Sequence, residues 1–376
     1  MADRTRIGVI GCGLIAQVMH LPYLAELSDR YEISAMCDLS PEVVNACGER
    51  YRVSSRYVDW REMLGQPLDA VLIATSGDHA PIAISAAEAG LHVLVEKPMA
   101  LSAADAELMV QAADETGVTL MVGTMKRYDP AYERLGELLD GGDDLHLVRV
   151  TTLESPWRPY VAHYPLVTGA VDPAVLAELQ ATEEQTVIAA LPEADDETRE
   201  CYRWILLDNL THELNALRGV LGDPTEIVFA SLSARCVAVN LRFGELDCHL
   251  SWVDLPGIAR YRQEFAFYAP GRRLTLELPS PFLRSAPSRL ITEGGEAGTA
   301  DGWQRDEVVA YDEAFRRELV EFSECLRTGR PARTAGSDAV QDMRLCEQIA
   351  RTHAERVAPA LAGGNGAHSV AGQGLA

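Results

Sequence analysis

The sequence predicts an α/β protein with two domains, a doubly wound parallel sheet followed by an α/β domain on a large, mainly antiparallel open sheet. Residues 1–126 alternate short apolar runs with helix-like segments, which is typical of repeated strand–helix–strand units. Beyond residue 144, longer strand-like runs are joined by short turns. The length of 376 residues is enough for two domains of ordinary size.

Five buried strands are expected in the first domain, residues 1–126. They are the apolar runs at 6–11, 32–38, 69–75, 92–98 and 119–124. The segments between them show helical periodicity with glycine near their ends. This succession favours parallel strands with helices on both faces of the sheet.

The second domain is expected to span 127–360. A helix within 127–144 precedes the strands, which are expected at 145–154, 225–234, 246–255, 262–269 and 272–278. Their succession indicates a meander rather than βαβ units. Two helices are expected at 313–329 and 337–357. The Gly/Ala-rich end, 361–376, has too few apolar residues to fold and is expected to be a flexible tail.

The composition limits the class of partner. A hydrophobic content of 47% and a charged content of 24% are those of a soluble globular protein. The formal net charge of −23 argues against nucleic acid or an anionic membrane as partner, because phosphate-rich surfaces bind Lys and Arg. The charge would suit a cationic substrate, although an acidic, well-solvated surface is the simpler explanation. A small-molecule substrate is therefore expected.

The N-terminus and the cysteines indicate the compartment. The sequence has no apolar run long enough to span a membrane, and no signal-peptide h-region precedes its first strand. Its eight cysteines are scattered, without a C-x-x-C pair or a Cys/His cluster of zinc spacing. We therefore expect a cytoplasmic protein with reduced thiols and no metal site.

A glycine motif directly after the first strand indicates a dinucleotide site. The stretch "GVIGCGLIA" contains Gly11-x-Gly13-x-x-Ala16 at the start of a helix. Gly11 permits the tight turn, Gly13 lets the backbone approach a pyrophosphate, and Ala16 allows close packing of helix on strand. The diphosphate would lie at the helix N-terminus of this Rossmann domain.

Asp38, at the end of the second strand, completes this signal. A carboxylate about twenty residues after the glycines binds ribose hydroxyls in such domains. Its charge would repel a 2′-phosphate, and the following Leu39-Ser40-Pro41 supplies no Arg to bind one. NAD is therefore preferred to NADP. The alternative is that Asp38 only caps the following helix.

Asp208 and His212 form a second candidate pair. They lie four residues apart in the helix-like run "RWILLDNLTHELNALRGVLG", and such residues share a face of an α-helix. The spacing leaves two interpretations open. In the first, the carboxylate of Asp208 orients a catalytic imidazole. In the second, the helix merely carries two polar residues.

Several motifs together resemble the Gfo/Idh/MocA family of dehydrogenases. These are Glu96-Lys97-Pro98 in "VEKPMALS", together with "GCGLIAQVMHLPYL", "VGTMKRYDPAY" and "THELNALRGVLGDP". The resemblance implies a Rossmann domain joined to an open-sheet domain, with the active site in the cleft between them. It also implies an NAD(P)-dependent oxidoreductase acting on CH–OH groups of a sugar, cyclitol or (amino)glycoside.

The resemblance implies Lys97, Asp208 and His212 as the catalytic residues. A neutral imidazole is a suitable base for a hydroxyl proton, so His212 would be the acid/base. Lys97 would stabilise the developing alkoxide or polarise the ketone. Asp208 would orient substrate hydroxyls or the imidazole. Glu96 and Pro98 would shape the backbone, with a cis bond at the proline.

Further candidate contacts come from the motifs and the resemblance and, within segment 155–202, from aromatic and Arg side chains that can bind a sugar or its charged groups. The implied cofactor-binding residues are Gly11, Gly13, Leu14, Ile15, Asp38, Thr75, His79, Glu96, Lys97 and Arg127, and the candidate substrate residues are Tyr128, Trp157, Arg158, His163 and Asn209. His20 and His79 could equally pack or cap helices. Segment 155–202 could close over the substrate with its aromatic side chains, or serve as a structural or subunit-interface loop.

The chain also departs from the family pattern. Asn209 and Leu210 stand between Asp208 and His212 where a glycine is common, and Asn215 replaces a frequent Asp. These bulkier residues predict a differently shaped pocket. Two other functions stay open: a redox-neutral NAD-dependent glycosidase or lyase, and a non-catalytic NAD-binding protein. A homodimer or homotetramer is expected, since the open sheet needs covering.

Overall fold

The computed structural model describes residues 4–140 and 144–363. Within these residues, the first sheet has six parallel strands in the order β3-β2-β1-β4-β5-β6. They are β1 (Thr5–Ile10), β2 (Tyr31–Cys37), β3 (Arg56–Tyr57), β4 (Ala70–Ile73), β5 (His92–Glu96) and β6 (Leu120–Gly123). The strand order reverses between β1 and β4, where doubly wound sheets bind their ligands. The predicted doubly wound parallel sheet is confirmed.

This sheet is covered on both faces, which explains why its strands were visible in the sequence. All residues of β4 and β6 are buried, and parallel strands buried on both sides appear as continuous apolar runs. β3 was not predicted, because two half-buried residues produce no pattern.

Local sequence determines where the helices of this part begin and end. They are α1 (Leu21–Glu26), α2 (Pro41–Tyr51), α3 (Trp60–Leu64), α4 (Ala80–Glu88) and α5 (Ala103–Thr116). Ser40 and Ser102 cap the N-termini of α2 and α5, and Gly117 in the left-handed region ends α5. α2 therefore begins directly after β2, with its N-terminus at the C-terminal edge of the sheet.

The second sheet is mainly antiparallel, as predicted. Its order in the described residues is β14-β13-β12-β11-β7-β10-β9-β8, and only the β7–β10 pair in it is parallel. The strands are β7 (Leu147–Glu154), β8 (Glu226–Ser233), β9 (Cys236–Phe243), β10 (Leu246–Asp254), β11 (Arg262–Ala269), β12 (Arg272–Leu278), β13 (Arg289–Gly295) and β14 (Gly302–Glu307). β9, β13 and β14 were not predicted. β14 is an almost fully exposed edge strand without apolar alternation.

The remaining helices all follow β6 in the chain. They are α6 (Pro130–Leu139), α7 (Arg158–Val161), α8 (Pro173–Ala190), α9 (Asp196–Cys201), α10 (Thr211–Leu221), α11 (Ala314–Thr328) and α12 (Gly336–Gly363). Residues 361–363 of the predicted tail belong to the end of α12, and 364–376 lie outside the described residues. Across 4–140 and 144–363, no helix combines the length and hydropathy required to cross a membrane.

Three short segments depart from α-helical geometry, and each contains or adjoins predicted site residues. Ala16–His20 and Tyr202–Leu210 are π-helical, and Met125–Tyr128 is a 3₁₀-helix. π-Helical turns are rare and frequently occur at functional sites. Because these segments have other than 3.6 residues per turn, side-chain directions along them differ from those of an α-helix.

Candidate active site

The glycine turn is shaped by close backbone packing on one side and open space on the other. Gly11 has a φ of +91°, and an added Cβ would lie 2.5 Å from the backbone nitrogen of Thr75. A Cβ on Gly13 would meet nothing within 4 Å. Gly11 is therefore required by the fold, whereas Gly13 leaves an open cradle that a diphosphate fits.

Asp38 stabilises this turn through hydrogen bonds to backbone N–H groups. Its carboxylate accepts hydrogen bonds from the backbone N–H of Cys12 at 2.8 Å and of Ser40 at 2.9 Å. The side chain that caps α2 is Ser40, which accepts from Val43. The alternative role of Asp38 as the helix cap is therefore wrong. A carboxylate has about four acceptor positions, so Asp38 keeps capacity for ribose hydroxyls.

Residues 163–183 run along the C-terminal edge of the first sheet. The Gln17 amide donates to the carbonyl of Val167 and accepts from its N–H. Gly169 packs against Ser40. Farther along, the Glu183 carboxylate accepts from the backbone N–H of Asp78 at 3.2 Å. We call residues 163–183 the strap, because they contact the helical segment after the glycine turn and the loops that contain Ser40 and Asp78.

The histidines near this edge are structural links. His20 is fully buried, with its Nε2 2.6 Å from Glu96 Oε1. The ring nitrogens of His79 lie 2.8 Å from the carbonyl oxygens of Thr75 and Pro98. Both residues, and Glu96 itself, lie beneath the surface and hold the loop that carries Lys97. The Lys97–Pro98 peptide bond is cis, as the resemblance implied.

Lys97 and Asp208 meet across the two parts of the chain. The Lys97 ammonium donates to Asp208 Oδ1 at 2.8 Å and to its backbone oxygen at 2.6 Å. An ammonium has three N–H donors, so one is left for another acceptor. The Lys97 side chain is 19% exposed, which keeps this donor accessible in the cleft.

His212 lies near Lys97 but is not held by Asp208. Its Nδ1 is buried without a hydrogen-bond partner among the described residues. The prediction that both side chains lie one above the other on an α-helix is corrected, because Asp208 belongs to the π-helical segment and His212 to α10. Burial, then the positive charges of Lys126 and Lys97, lower the pKa of His212 well below its usual value. The imidazole is therefore neutral at physiological pH.

Two residues that the sequence analysis missed complete this cluster. Lys126 is 5% exposed, and its charge acts on His212 and Lys97. Glu213 is 1% exposed and follows His212 directly. A signal for Lys126 was available, since it stands in the motif "MKRYDP" from which Arg127 and Tyr128 were chosen.

The structure corrects the placement of Arg127 and Tyr128. The Arg127 guanidinium donates to the carbonyl of Asn215 and lies 3.6 Å from Asp338. Tyr128 is 2% exposed, and its hydroxyl bonds Thr334 at 2.8 Å. On a 3₁₀-helix successive residues point about 120° apart, so only one residue of this run can face His212. That residue is Lys126.

The other predicted contacts are divided between the two sides of the cleft. Leu14 and Ile15 are half-buried at the start of the helix after the glycine turn. Trp157 is 45% exposed, with Arg158 over its ring, and His163 stacks on Tyr164. Asn209 donates to the carbonyl of Trp204. Among the described residues, none of the side chains of Trp157, Arg158, His163 and Asn209 hydrogen-bonds Lys97, Asp208 or His212.

Comparison with known proteins agrees with this architecture. Residues 5–124 match the family model GFO_IDH_MocA, described as an oxidoreductase family with an NAD-binding Rossmann fold. An inositol 2-dehydrogenase from Salmonella paratyphi B is 30% identical over 142 residues, which are 37% of this chain and 42% of that protein. The match thus spans about two fifths of that relative. A myo-inositol 2-dehydrogenase from Thermotoga maritima is 24% identical over 90% of this chain and 93% of its own length.

A solved structure shows the same fold over nearly the whole chain. The 3-ketoreductase KijD10 from Actinomadura kijaniata, in complex with NADP, superposes with a TM-score of 0.71 at 19% identity. The superposition covers 93% of this chain and 98% of that one. The family resemblance stated from the sequence is confirmed by the match of residues 5–124 to the GFO_IDH_MocA model.

Proposed function

We propose that this protein is an NAD-dependent dehydrogenase that oxidises a ring hydroxyl of a sugar, cyclitol or glycoside, or reduces the matching ketone. The observation that carries the proposal is the ion pair of Lys97 with Asp208, together with the buried, neutral imidazole of His212, whose pKa the Lys97 charge helps to lower. The inositol dehydrogenases among its relatives support the substrate class.

Each group has a defined part in this chemistry. Bound NAD supplies the hydride acceptor for the carbon that carries the hydroxyl. His212 takes the hydroxyl proton, which a neutral imidazole can do at physiological pH. The third N–H of Lys97 donates to the substrate oxygen and stabilises its developing negative charge. Asp208 accepts hydrogen bonds from two of the three N–H groups of Lys97, which orients the third.

The cofactor preference follows from the loop after β2. Asp38 places a negative charge where the 2′-substituent of the adenosine ribose would lie, and a phosphate there would be repelled. Gly169 of the strap packs against Ser40, which reduces the space beside Asp38. We therefore propose NAD rather than NADP.

The test of this function is direct. The purified protein is mixed with NAD⁺ and a panel of cyclitols, sugars and glycosides, and formation of reduced nicotinamide is followed by absorbance. Turnover with at least one neutral polyol is expected, at a higher kcat/KM with NAD⁺ than with NADP⁺. Absence of turnover in both directions, with the ketone panel and NADH included, would refute the proposal.

The strap favours a second candidate, the redox-neutral glycosidase or lyase. Its contacts with Gln17, Ser40 and Asp78 span the edge where the cofactor would lie, and this arrangement would slow cofactor release. An enzyme that recycles its cofactor in place benefits from such retention. Cleavage of a glycoside without net cofactor reduction, with solvent deuterium entering the carbon next to the oxidised centre, would identify this function.

A further inference from the structure

The first half of helix α8 is exposed on every side. Residues 172–182 are all exposed, whereas Glu183 and Val187 in the second half of the helix are buried. We call residues 172–182 the arch. The side chains of the arch contribute little to the packing of the fold, so their sequence requires another explanation.

Both ends of the arch are anchored on loops beside the glycine turn. Before it, Gly169 packs directly against Ser40, whose N–H donates to Asp38 at 2.9 Å. After it, Glu183 accepts from the backbone N–H of Asp78 at 3.2 Å. The position of the arch is therefore fixed from two sides.

These anchors carry the arch across the C-terminal edge of the first sheet. Ser40 follows β2 and Asp78 follows β4 in the chain, and these two strands flank β1. The two strands are about 10 Å apart, since neighbouring strands lie about 4.8 Å from each other. About ten residues of helix span roughly 15 Å, which is enough to cross this distance. The arch therefore passes over the end of β1, where Gly13 leaves open space.

An apolar stripe of the arch faces this edge. The buried residues Glu183 and Val187 mark the side of α8 that faces the body of the protein. With 3.6 residues per turn, three apolar residues of the arch share an arc of about 120° with them. These are Val175, Leu176 and Leu179, which are 37–44% exposed. Their exposure on the inward side of the helix indicates room between the stripe and the glycine turn.

The adenosine half of a dinucleotide fits this room. In Rossmann domains, the acidic residue at the end of the second strand binds the adenosine ribose, and the pyrophosphate lies at the glycine turn. With Asp38 in that role, the adenine lies close to the first anchor of the arch. Leu39, which follows Asp38, is also exposed and offers a second apolar surface at this edge. Apolar side chains are the usual lining of sites for flat ring systems.

We propose that Val175, Leu176 and Leu179 bind the adenine of the cofactor, so that the arch closes over the adenosine half of the bound dinucleotide. Because both ends of the arch are held, the dinucleotide leaves slowly. Glu183 also pairs with Arg203, in the π-helical segment that carries Asp208, which reinforces the second anchor. The inference rests on the proposed cofactor and is independent of the substrate.

A double substitution in the stripe, Leu176→Gln with Leu179→Gln, tests this binding role. Calorimetry measures the dissociation constants of ADP-ribose and of whichever of NADH and NADPH binds more tightly. Stopped-flow fluorescence measures the dissociation rate of the reduced dinucleotide. Both affinities are expected to fall by at least about tenfold and to a similar degree, because ADP-ribose retains the adenosine half and burial of a leucine contributes a factor of this order. The dissociation rate should rise accordingly.

The control is Leu108→Gln, which replaces an exposed leucine of α5 outside the strap. It should leave both affinities unchanged. The melting temperature of the double variant without ligand should equal that of the wild type, because its two leucines are exposed. This equality separates a binding role from a structural one.

Several results would overturn the inference. They are unchanged or tighter binding of both ligands in the double variant, and a loss confined to the whole dinucleotide, which would place the arch at the nicotinamide. Dissociation of a dimer by the double substitution, with unchanged affinities, would assign the stripe to a second copy of the chain. If neither ligand binds the wild type, the proposed cofactor is wrong as well. The expected losses of affinity without turnover of any polyol would support the arch and refute the dehydrogenase.

Discussion

The candidate cofactor side, at the glycine turn and Asp38, and the candidate reaction side, at Lys97, Asp208 and His212, are built in different ways. On the cofactor side, backbone groups are paired within the chain: Gly11 N–H donates to Cys37, and Asp38 receives two further N–H groups. On the reaction side, buried polar atoms of His212 and Glu213 have no partner among the described residues. Thr75 Oγ1, near the glycine turn, also lacks a partner among the described residues. The difference is therefore that the first side is built mainly from backbone geometry and the second from side chains.

This difference separates stability from function. Because the cofactor side is made of backbone geometry, few substitutions there are expected to be tolerated. Their effects should appear in stability and in cofactor affinity. Substitutions on the reaction side, which is made of side chains, are expected to reduce activity with little loss of stability.

Lys97→Met is expected to reduce kcat by about 1000-fold, because it removes the donor that stabilises charge on the substrate oxygen. The dissociation constant for NAD and the melting temperature should change little. Steady-state kinetics and calorimetry measure these quantities. Lys126→Met, which removes the other lysine of the chain, is the matched control and should lower kcat far less. A loss of less than tenfold in kcat for Lys97→Met would contradict the assignment.

Gly13→Val is expected to weaken NAD binding by at least about 100-fold, or about 2.7 kcal/mol. The side chain enters the open space where the diphosphate fits, so the melting temperature should be unchanged. Gly11→Ala is the contrasting control, because its Cβ lies 2.5 Å from the backbone of Thr75 and should lower the melting temperature. Undiminished NAD affinity in Gly13→Val would place the cofactor elsewhere.

Asp38→Asn should weaken NAD binding by about tenfold, since one charged acceptor of the ribose hydroxyls becomes neutral. The same change removes the charge that repels a 2′-phosphate, so the NADP affinity should rise relative to NAD. Fluorescence titration with both reduced cofactors measures the ratio. An unchanged ratio would show that Asp38 only braces the turn.

Lys126→Met should move the acidic limb of the kcat/KM–pH profile to higher pH, by less than about one unit. The positive charge of Lys126 lowers the pKa of His212, so removing it raises that pKa. The base then becomes protonated at a higher pH, and activity is lost there. Lys126→Arg keeps the charge and should leave the limb in place. A shift in the opposite direction would exclude His212 as the base.

The sequence predicted the geometry of the glycine turn well and that of the reaction side incompletely, for a physical reason. Gly11, Gly13 and Asp38 act through a turn and two strand ends whose geometry follows from nearby residues. The reaction side combines residues from a 3₁₀-helix and a π-helical segment, whose side-chain directions cannot be obtained by assuming 3.6 residues per turn. For this reason Arg127 was chosen over Lys126, and Asp208 was expected beside His212 rather than on Lys97.

The most direct test of the central claim is the fate of the carbinol hydrogen. The protein is incubated with NAD⁺ and its best polyol carrying deuterium at the oxidised carbon, and the reduced cofactor is examined by NMR. One deuterium per reduced nicotinamide is expected, at a rate that Lys97→Met or His212→Asn nearly abolishes. Reduced cofactor without deuterium, or transfer that persists in both variants, would contradict it.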